Sequence, residues 1–161
     1  MFAIQSQVAQ EIASALRATL SSQEKQRIEN KATENIEAYA FYLRGREHYS
    51  RYVKEENERA IELFKKAIAL DQRYALAYAG LGDAYAQRVS KFEFSLEWLD
   101  SSIAASRTAI ALDPNLAEPY KALGVVYVQR GELRAALAQY SRAVALNPSY
   151  APAVANLGSF Y

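Results

Sequence analysis

A lone histidine, a knot of three glutamates, one tryptophan and twelve tyrosines are the side chains here from which a reaction or a recognition chemistry could be built. His48 has the type of a general base or a metal ligand. No second His and no Cys exist to complete a zinc site with it, so it reads as a polar occupant of an aromatic slot between helices. Glu55, Glu56 and Glu58 cluster near an expected turn. Acid–base catalysis needs carboxylates whose pKa values are pushed apart in a cleft. These instead suit the N-terminal end of the next helix, where the helix dipole favours negative charge. Gly80-Leu81-Gly82 lacks the preceding strand that a dinucleotide-binding turn requires and falls inside a helical pattern. Trp98 and the tyrosines could stack on bases. However, 19 basic against 18 acidic residues give a net charge of +1, which provides no footprint for nucleic acid and no basic patch for an anionic membrane. The sequence therefore points to no enzyme activity, no cofactor, no metal, no nucleic-acid partner and no direct membrane contact.

The chemistry left over is surface recognition, and it depends on how the chain presents its side chains. At 161 residues and 51% hydrophobic content the chain can build one core of ordinary size. Disulfides and thiolate chemistry are excluded by the absence of cysteine. That absence does not fix the compartment; a cytoplasmic location is slightly favoured over a periplasmic one. No run approaches the roughly 20 apolar residues of a membrane span. The N-terminal MFAIQSQVAQEIASAL lacks the basic start and unbroken apolar run of a signal peptide. Only six Gly and four Pro argue for long helices and few turns.

The sequence repeats itself. Ala117 and Ala151 open similar segments 34 residues apart, and Ala75 opens a third. Tyr78, Leu81, Gly82 and Tyr85 recur as Tyr120, Leu123, Gly124 and Tyr127, and again as Leu157, Gly158 and Tyr161 with Val154 in the first slot. Further on, Ala60, Phe64, Ala67 and Leu70 share their spacing with Ala136, Tyr140, Ala143 and Leu146; Ser102, Ser106, Ala109 and Leu112 keep it with smaller side chains. Steps of three and four keep such residues on one helix face. Gly82, Gly124 and Gly158 would let a partner helix approach closely, and Phe64 and Tyr140 would fill the gap between neighbours. Pro114 and Pro148 follow expected helix ends, and Pro119 and Pro152 fall in first turns, where a missing N–H costs nothing.

These residues resemble the tetratricopeptide repeat (TPR) family. The Ala117 unit carries Tyr120, Leu123, Gly124, Tyr127, Gly131, Ala136, Tyr140, Ala143 and Pro148 in the signature slots. The resemblance covers about residues 38 to 161. It implies an all-α, right-handed superhelix of antiparallel helix pairs, divided as 38–74, 75–116, 117–150 and a partial 151–161, after a helical extension over 1–37. The unit from Ala38 departs from the pattern, with Arg44 and His48 in Leu and Tyr slots. The unit from Ala75 is long, at 42 residues. Its excess, VSKFEFSLEW, is expected to be a loop between helices, with Ser95 capping a helix from Leu96 to Leu112. The last unit stops after one helix with no capping helix in sight, which suggests a piece of a longer protein.

In the extension, Ile4, Val8, Ile12 and Leu16 form an apolar stripe. Ser21-Ser22-Gln23-Glu24 reads as a capping box, and Thr33 as the cap of the helix that follows. FAIQSQVAQEIASAL, ENIEAYAFYLRGREHY and AIELFKKAIALD together are similar to the junction in bacterial signalling proteins where a TolB-like domain meets TPRs, beneath an adenylate or guanylate cyclase, a Ser/Thr kinase or a winged-helix regulator. This resemblance spans residues 2 to about 85 and rests mostly on Tyr42-Leu43-Arg44-Gly45-Arg46. It implies a sensor or regulator, and it leaves the effector open.

The TPR resemblance further implies that the first helix of each unit lines a concave face that binds a protein or peptide. Its inward slots fall on Tyr39, Tyr42, Arg46 and Tyr49 in the first unit. Leu76, Asp83 and Gln87 follow in the second unit, and Glu118, Lys121, Val125 and Gln129 in the third. Ala79 and Asp83 stand where a carboxylate clamp would place a cation or an amide, so a chaperone tail is not the expected ligand. Tyr and Arg are frequent anchors at interfaces, whereas the bland alternative for each position is a solvated helix face. A second expectation is self-association, a homo-oligomer formed through Val154, Leu157 and Tyr161 of the last helix.

Overall fold

The computed structural model describes residues 33–161, which form seven α-helices and, among the described residues, no strand. The helices are α1 (Ile36–Tyr49), α2 (Lys54–Leu70), α3 (Ala75–Phe92), α4 (Trp98–Leu112), α5 (Glu118–Gln129), α6 (Leu133–Leu146) and α7 (Ala151–Gly158). The apolar stripe from Ile4 to Leu16 and the capping box from Ser21 to Glu24 lie outside the described residues. Each helix packs on its neighbours in sequence, and α1, α3 and α5 also touch one another as an inner row. The architecture is the all-α stack of antiparallel helix pairs that the TPR resemblance implies: three pairs, α1–α2, α3–α4 and α5–α6, followed by α7.

One turn is used three times to join the pairs. Asp71, Asp113 and Asn147 end α2, α4 and α6 in an extended conformation, and their N–H groups bond Ala67, Ala109 and Ala143 carbonyls. In each, the side-chain Oδ1 accepts a backbone N–H two residues on, from Arg73 (2.9 Å), Asn115 (2.9 Å) and Ser149 (3.2 Å). An Asx turn of this kind offers the chain an alternative to continuing the helix. It delivers Tyr74, Leu116 and Tyr150 into the core just ahead of α3, α5 and α7.

The glycines sit where helices approach most closely. A Cβ on Gly45 or on Gly80 would lie 2.7 or 2.6 Å from the Phe64 ring, so Phe64 is wedged between its own unit and the next. Tyr140 fills the same role over Gly124, where a Cβ would come within 2.3 Å of the ring. In the middle pair the order of sizes changes: Ser102 donates its Oγ hydrogen to the Gly82 carbonyl at 2.7 Å, and a Cβ there would meet Ser106 Oγ at 2.5 Å. Gly158 has open space around its would-be Cβ. Gly124→Ala is therefore expected to destabilise by about 1–3 kcal/mol through overpacking. Gly158→Ala is expected to be neutral or stabilising by up to about 1 kcal/mol. Thermal denaturation of the two variants side by side tests this; equal losses would show that spacing alone does not decide the matter.

Three local expectations need correction. The VSKF stretch is not loop: α3 continues through Phe92, and only Glu93 to Glu97 separate it from α4. Arg88 holds this ending together. Its guanidinium lies 4.7 Å from the Phe94 ring centroid and 4.4 Å from that of Trp98, which in turn stacks on Tyr85 at 5.3 Å. Glu93 takes the left-handed C-cap (φ 57°) that glycine usually supplies. Ser95 does not cap a helix from Leu96. Its Oγ accepts the Glu97 N–H at 3.4 Å in a turn, and α4 starts at Trp98. Thr33 is not the cap of α1 either. Asn35 is, its Oδ1 accepting the Ala38 N–H at 2.9 Å, while Thr33 Oγ1 donates to Asp71 Oδ2 at 2.6 Å.

Candidate functional site

The inner helices carry polar side chains at turn-by-turn spacing, and the superhelix brings those of three units together. Asp83 of α3 and Lys121 of α5 form an ion pair at 2.5 Å, with side chains only 9% and 7% exposed. Lys121 Nζ also donates to the Tyr49 hydroxyl of α1 at 3.3 Å and lies 5.6 Å from the centre of that ring. One residue from each pair thus meets at one point. Burial alone would lower the Lys121 pKa, but the facing Asp83 carboxylate, with Tyr150 and Tyr49 nearby, holds it well above the usual lysine range.

A second buried network braces the first. Asn57 of α2 donates Nδ2 to the Ala84 carbonyl (2.9 Å) and to Gln87 Oε1 (2.8 Å), while its Oδ1 accepts from Arg88 Nε (3.1 Å). Gln87 passes the chain on, donating Nε2 to the Tyr49 carbonyl at 3.3 Å. Its amide is occupied at both ends and fixes the floor.

Above this floor opens a groove of about 890 Å³. Tyr49 and Tyr52 form one wall, at the end of α1 and in the turn after it. Tyr140 of α6 and Phe160 beyond α7 form the other, their rings 5.9 Å apart. Ala86, Val125 and Val128 give the floor an apolar strip, and Ser90, Lys91, Gln129 and Asn156 give its margin hydrogen-bonding groups. Tyr52 is 57% exposed and held at φ 54°. A bulky residue in the left-handed region is strained, and here the strain puts a ring on the rim of the groove.

The residues expected on the concave face divide in two. Tyr49, Asp83, Gln87, Lys121, Val125 and Gln129 line the groove together. Tyr39, Tyr42, Leu76 and Glu118 do not line it: they are buried elsewhere in the helix stack. Arg46 is half-buried, donating Nη1 to the Tyr42 hydroxyl at 3.2 Å. Position along the helix is the reason. The groove opens along α3 from Asp83 to Lys91 and along α5 from Lys121 to Gln129, past the positions of Leu76 and Glu118. Sequence reasoning passed over Tyr52, Ser90, Lys91 and Val128, although Ser90 and Lys91 lie seven and eight residues after Asp83 and continue its face. It also passed over Ala155, Asn156 and Phe160, because α7 was read as an end and not as a wall.

His48 joins no site. Its Nδ1 meets Glu56 Oε2 at 2.7 Å, and Arg51 and Arg59 reach the same carboxylate at 2.8 Å each. The His48 bond, followed by the Arg51 bond, pulls the Glu56 pKa below its ordinary value. Among the described residues no group of three His, Cys, Asp or Glu side chains could hold a metal ion, and no helix is long and apolar enough to cross a membrane.

Burial raises the pKa of five tyrosines. Tyr39, Tyr49 and Tyr140 are pushed up to about 12, and Tyr74 and Tyr150 well above their ordinary 10.0. A raised folded-state pKa contributes stability that is whole below pH 10 and is lost as the unfolded chain ionises first. The fold is therefore expected to weaken steadily from pH 10 toward 12, read as a falling midpoint of urea unfolding followed by circular dichroism. A midpoint unchanged over that range would contradict the burial.

Comparison with known proteins gives the same architecture. The TPR repeat family model matches residues 49–88 and 124–161. The first TPR domain of human RPAP3 superposes with a TM-score of 0.61 at 18% identity, over 76% of this chain and 88% of that one. The Arabidopsis OM64 TPR domain gives 0.60 at 16% identity, over 76% and 92%. The first TPR of Spaghetti (RPAP3), bound to the HSP90 peptide SRMEEVD, gives 0.58 at 19% identity, over 76% and 89%. At these identities the likeness shows the fold. No curated protein matches the sequence.

Proposed function

We propose that this chain, a superhelix of tetratricopeptide repeats, is a protein–protein interaction scaffold that holds a partner's peptide in its concave groove. The observation that carries this reading is the aromatic-walled groove of about 890 Å³ that runs from Asp83 along α3 and from Lys121 along α5. Two structural neighbours support it, since they are TPRs bound to HSP90 peptide. The floor's side chains are already tied to one another by hydrogen bonds, so the lost conformational freedom falls mainly on the ligand. The resemblance of residues 2 to about 85 adds a setting: the interaction region of a larger bacterial signalling or regulatory protein.

Tyr52 and Ala155 are the residues on which to test it. Both are exposed, so changing them spares the core. Tyr52→Ala removes one wall and Ala155→Trp fills the groove from the other side. Either variant is expected to weaken peptides selected from a random phage-displayed library by about ten-fold or more, roughly one hot-spot contact, with an unchanged circular dichroism spectrum. Unaltered binding in both would rule out the groove. Tyr42, suggested by the sequence, is a poor probe because it is buried against Tyr74, with ring centroids 5.2 Å apart.

Self-association is the second reading. It is favoured by Val154 at 43% and Tyr161 at 95% exposure, with half-buried Leu157 between them. A large apolar side chain gains roughly 1.5–3 kcal/mol on burial. Sedimentation equilibrium of the chain and its Val154→Glu variant decides it, and a monomer at all concentrations rejects it.

A further inference from the structure

We infer that the groove takes an internal, acidic stretch of a partner's chain and not a C-terminal carboxylate; this rests on the peptide-groove reading above. A groove that grips a terminal carboxylate on its floor needs a cation there that is free to meet it. The floor has one cation, Lys121, and it is already engaged: two of its donors go to Asp83 and the Tyr49 hydroxyl, and its side chain is buried. A carboxylate lowered onto the floor would face Asp83 in a setting of low dielectric, where like charges repel strongly and a buried charge without its own partner is costly.

What the floor offers instead is an acceptor. Lys121 takes Asp83 Oδ1, and Oδ2 has no hydrogen-bond partner among the described residues. An N–H from the middle of a peptide satisfies that oxygen; a terminal carboxylate has no hydrogen to give. Gln129 and Ser90 at the margin carry the donors and acceptors that continue such backbone recognition.

The acidic preference comes from the rim. Asp83 and Lys121 cancel, which leaves Lys91 as the one uncompensated charge among the groove's lining residues. It is exposed and has no ion pair among the described residues. An Asp or Glu side chain on the ligand, placed to reach past the wall of Tyr52, meets that charge without being dragged into the floor.

The test uses two random peptide libraries displayed on phage, one with its peptides inside a longer chain and one with free C-termini. Peptides recovered on the full chain are resynthesised with free and amidated C-termini and measured by fluorescence anisotropy. Binders rich in Asp or Glu are expected, with affinity unchanged on amidation. Lys91→Glu is expected to weaken them about ten-fold, while Lys91→Arg leaves them intact. Loss of binding on amidation would overturn the inference and leave the peptide groove standing. Indifference to Lys91→Glu would also overturn it. Binders that ignore Ala155→Trp sit elsewhere, and both readings would fall together.

Discussion

Asp83→Ala is expected to remove about 3–5 kcal/mol of folding stability, although the side chain it deletes is small and lies on a polar floor. The loss has little to do with the ion pair's own worth. Desolvating two charges offsets most of what their attraction returns, so a buried pair is close to neutral against a well-packed apolar one. The damage comes from what stays behind. Lys121 is 7% exposed, and Asp83 is its carboxylate. Without it the ammonium must either stay charged and unpaired or give up its proton, and both are costly. Two companions separate these ideas. Lys121→Met alone strands a carboxylate and should cost a similar amount. The double variant, Asp83→Leu with Lys121→Met, should recover most of the stability because no charge is left uncompensated. Urea unfolding followed by circular dichroism measures all three. Additive losses in the double variant would mean that the two residues act separately and that the floor is wetter than its burial implies.

Phe64→Ala is the second large effect, at about 3–5 kcal/mol. Phe64 is fully buried, and its ring fills the space left by two glycines, Gly45 and Gly80, from successive units. Neither backbone can move in to close the cavity, because each is held by its own helix. The loss should also be local in a way that a single globular core would not allow. Repeat arrays owe their stability to each unit and to each interface between neighbours. Removing Phe64 should uncouple the first unit from the rest, so amide hydrogens of α1 and α2 exchange much faster while those of α5 and α6 change little. Uniform loss of protection would show that the superhelix unfolds as one. Leu70→Ala, at a 40% exposed position of the same helix, is the control and should fall within about 0.5 kcal/mol of the parent.

Much of this fold is legible in the chain because its rules are local. Gly124 and Tyr140 announce a close helix crossing by size alone. Asp71, Asp113-Pro114 and Asn147-Pro148 announce helix ends through side chains that compete for backbone N–H groups. The errors arise where the deciding quantity is not local. The end of α3 was misplaced because Val89 to Phe92 favour no particular state, and what keeps them helical is Arg88 gripping Phe94 and Trp98 from the next segment. The groove was found only in part for a similar reason. Tyr42 and Gln87 look equally inward on a helical wheel and both are buried, yet only Gln87 lines the groove. A single repeat contains no statement of where the groove opens; that is decided when three of them meet at Tyr49, Asp83 and Lys121.

The long second unit has a consequence for how the chain finds its order. Repeats built to one pattern are prone to dock with the wrong sibling, and such misassembly is the characteristic failure of their folding. Here the first helix of the middle pair overshoots, turns back at Glu93 and closes on Trp98. Neither the unit before it nor the one after carries that clasp. It works as a key cut for one lock: when α4 returns to α3, Arg88 meets the Trp98 ring, and an out-of-order pairing leaves Arg88 without it. A chain of near-copies thereby acquires an address at its midpoint, from which the neighbours on either side can count.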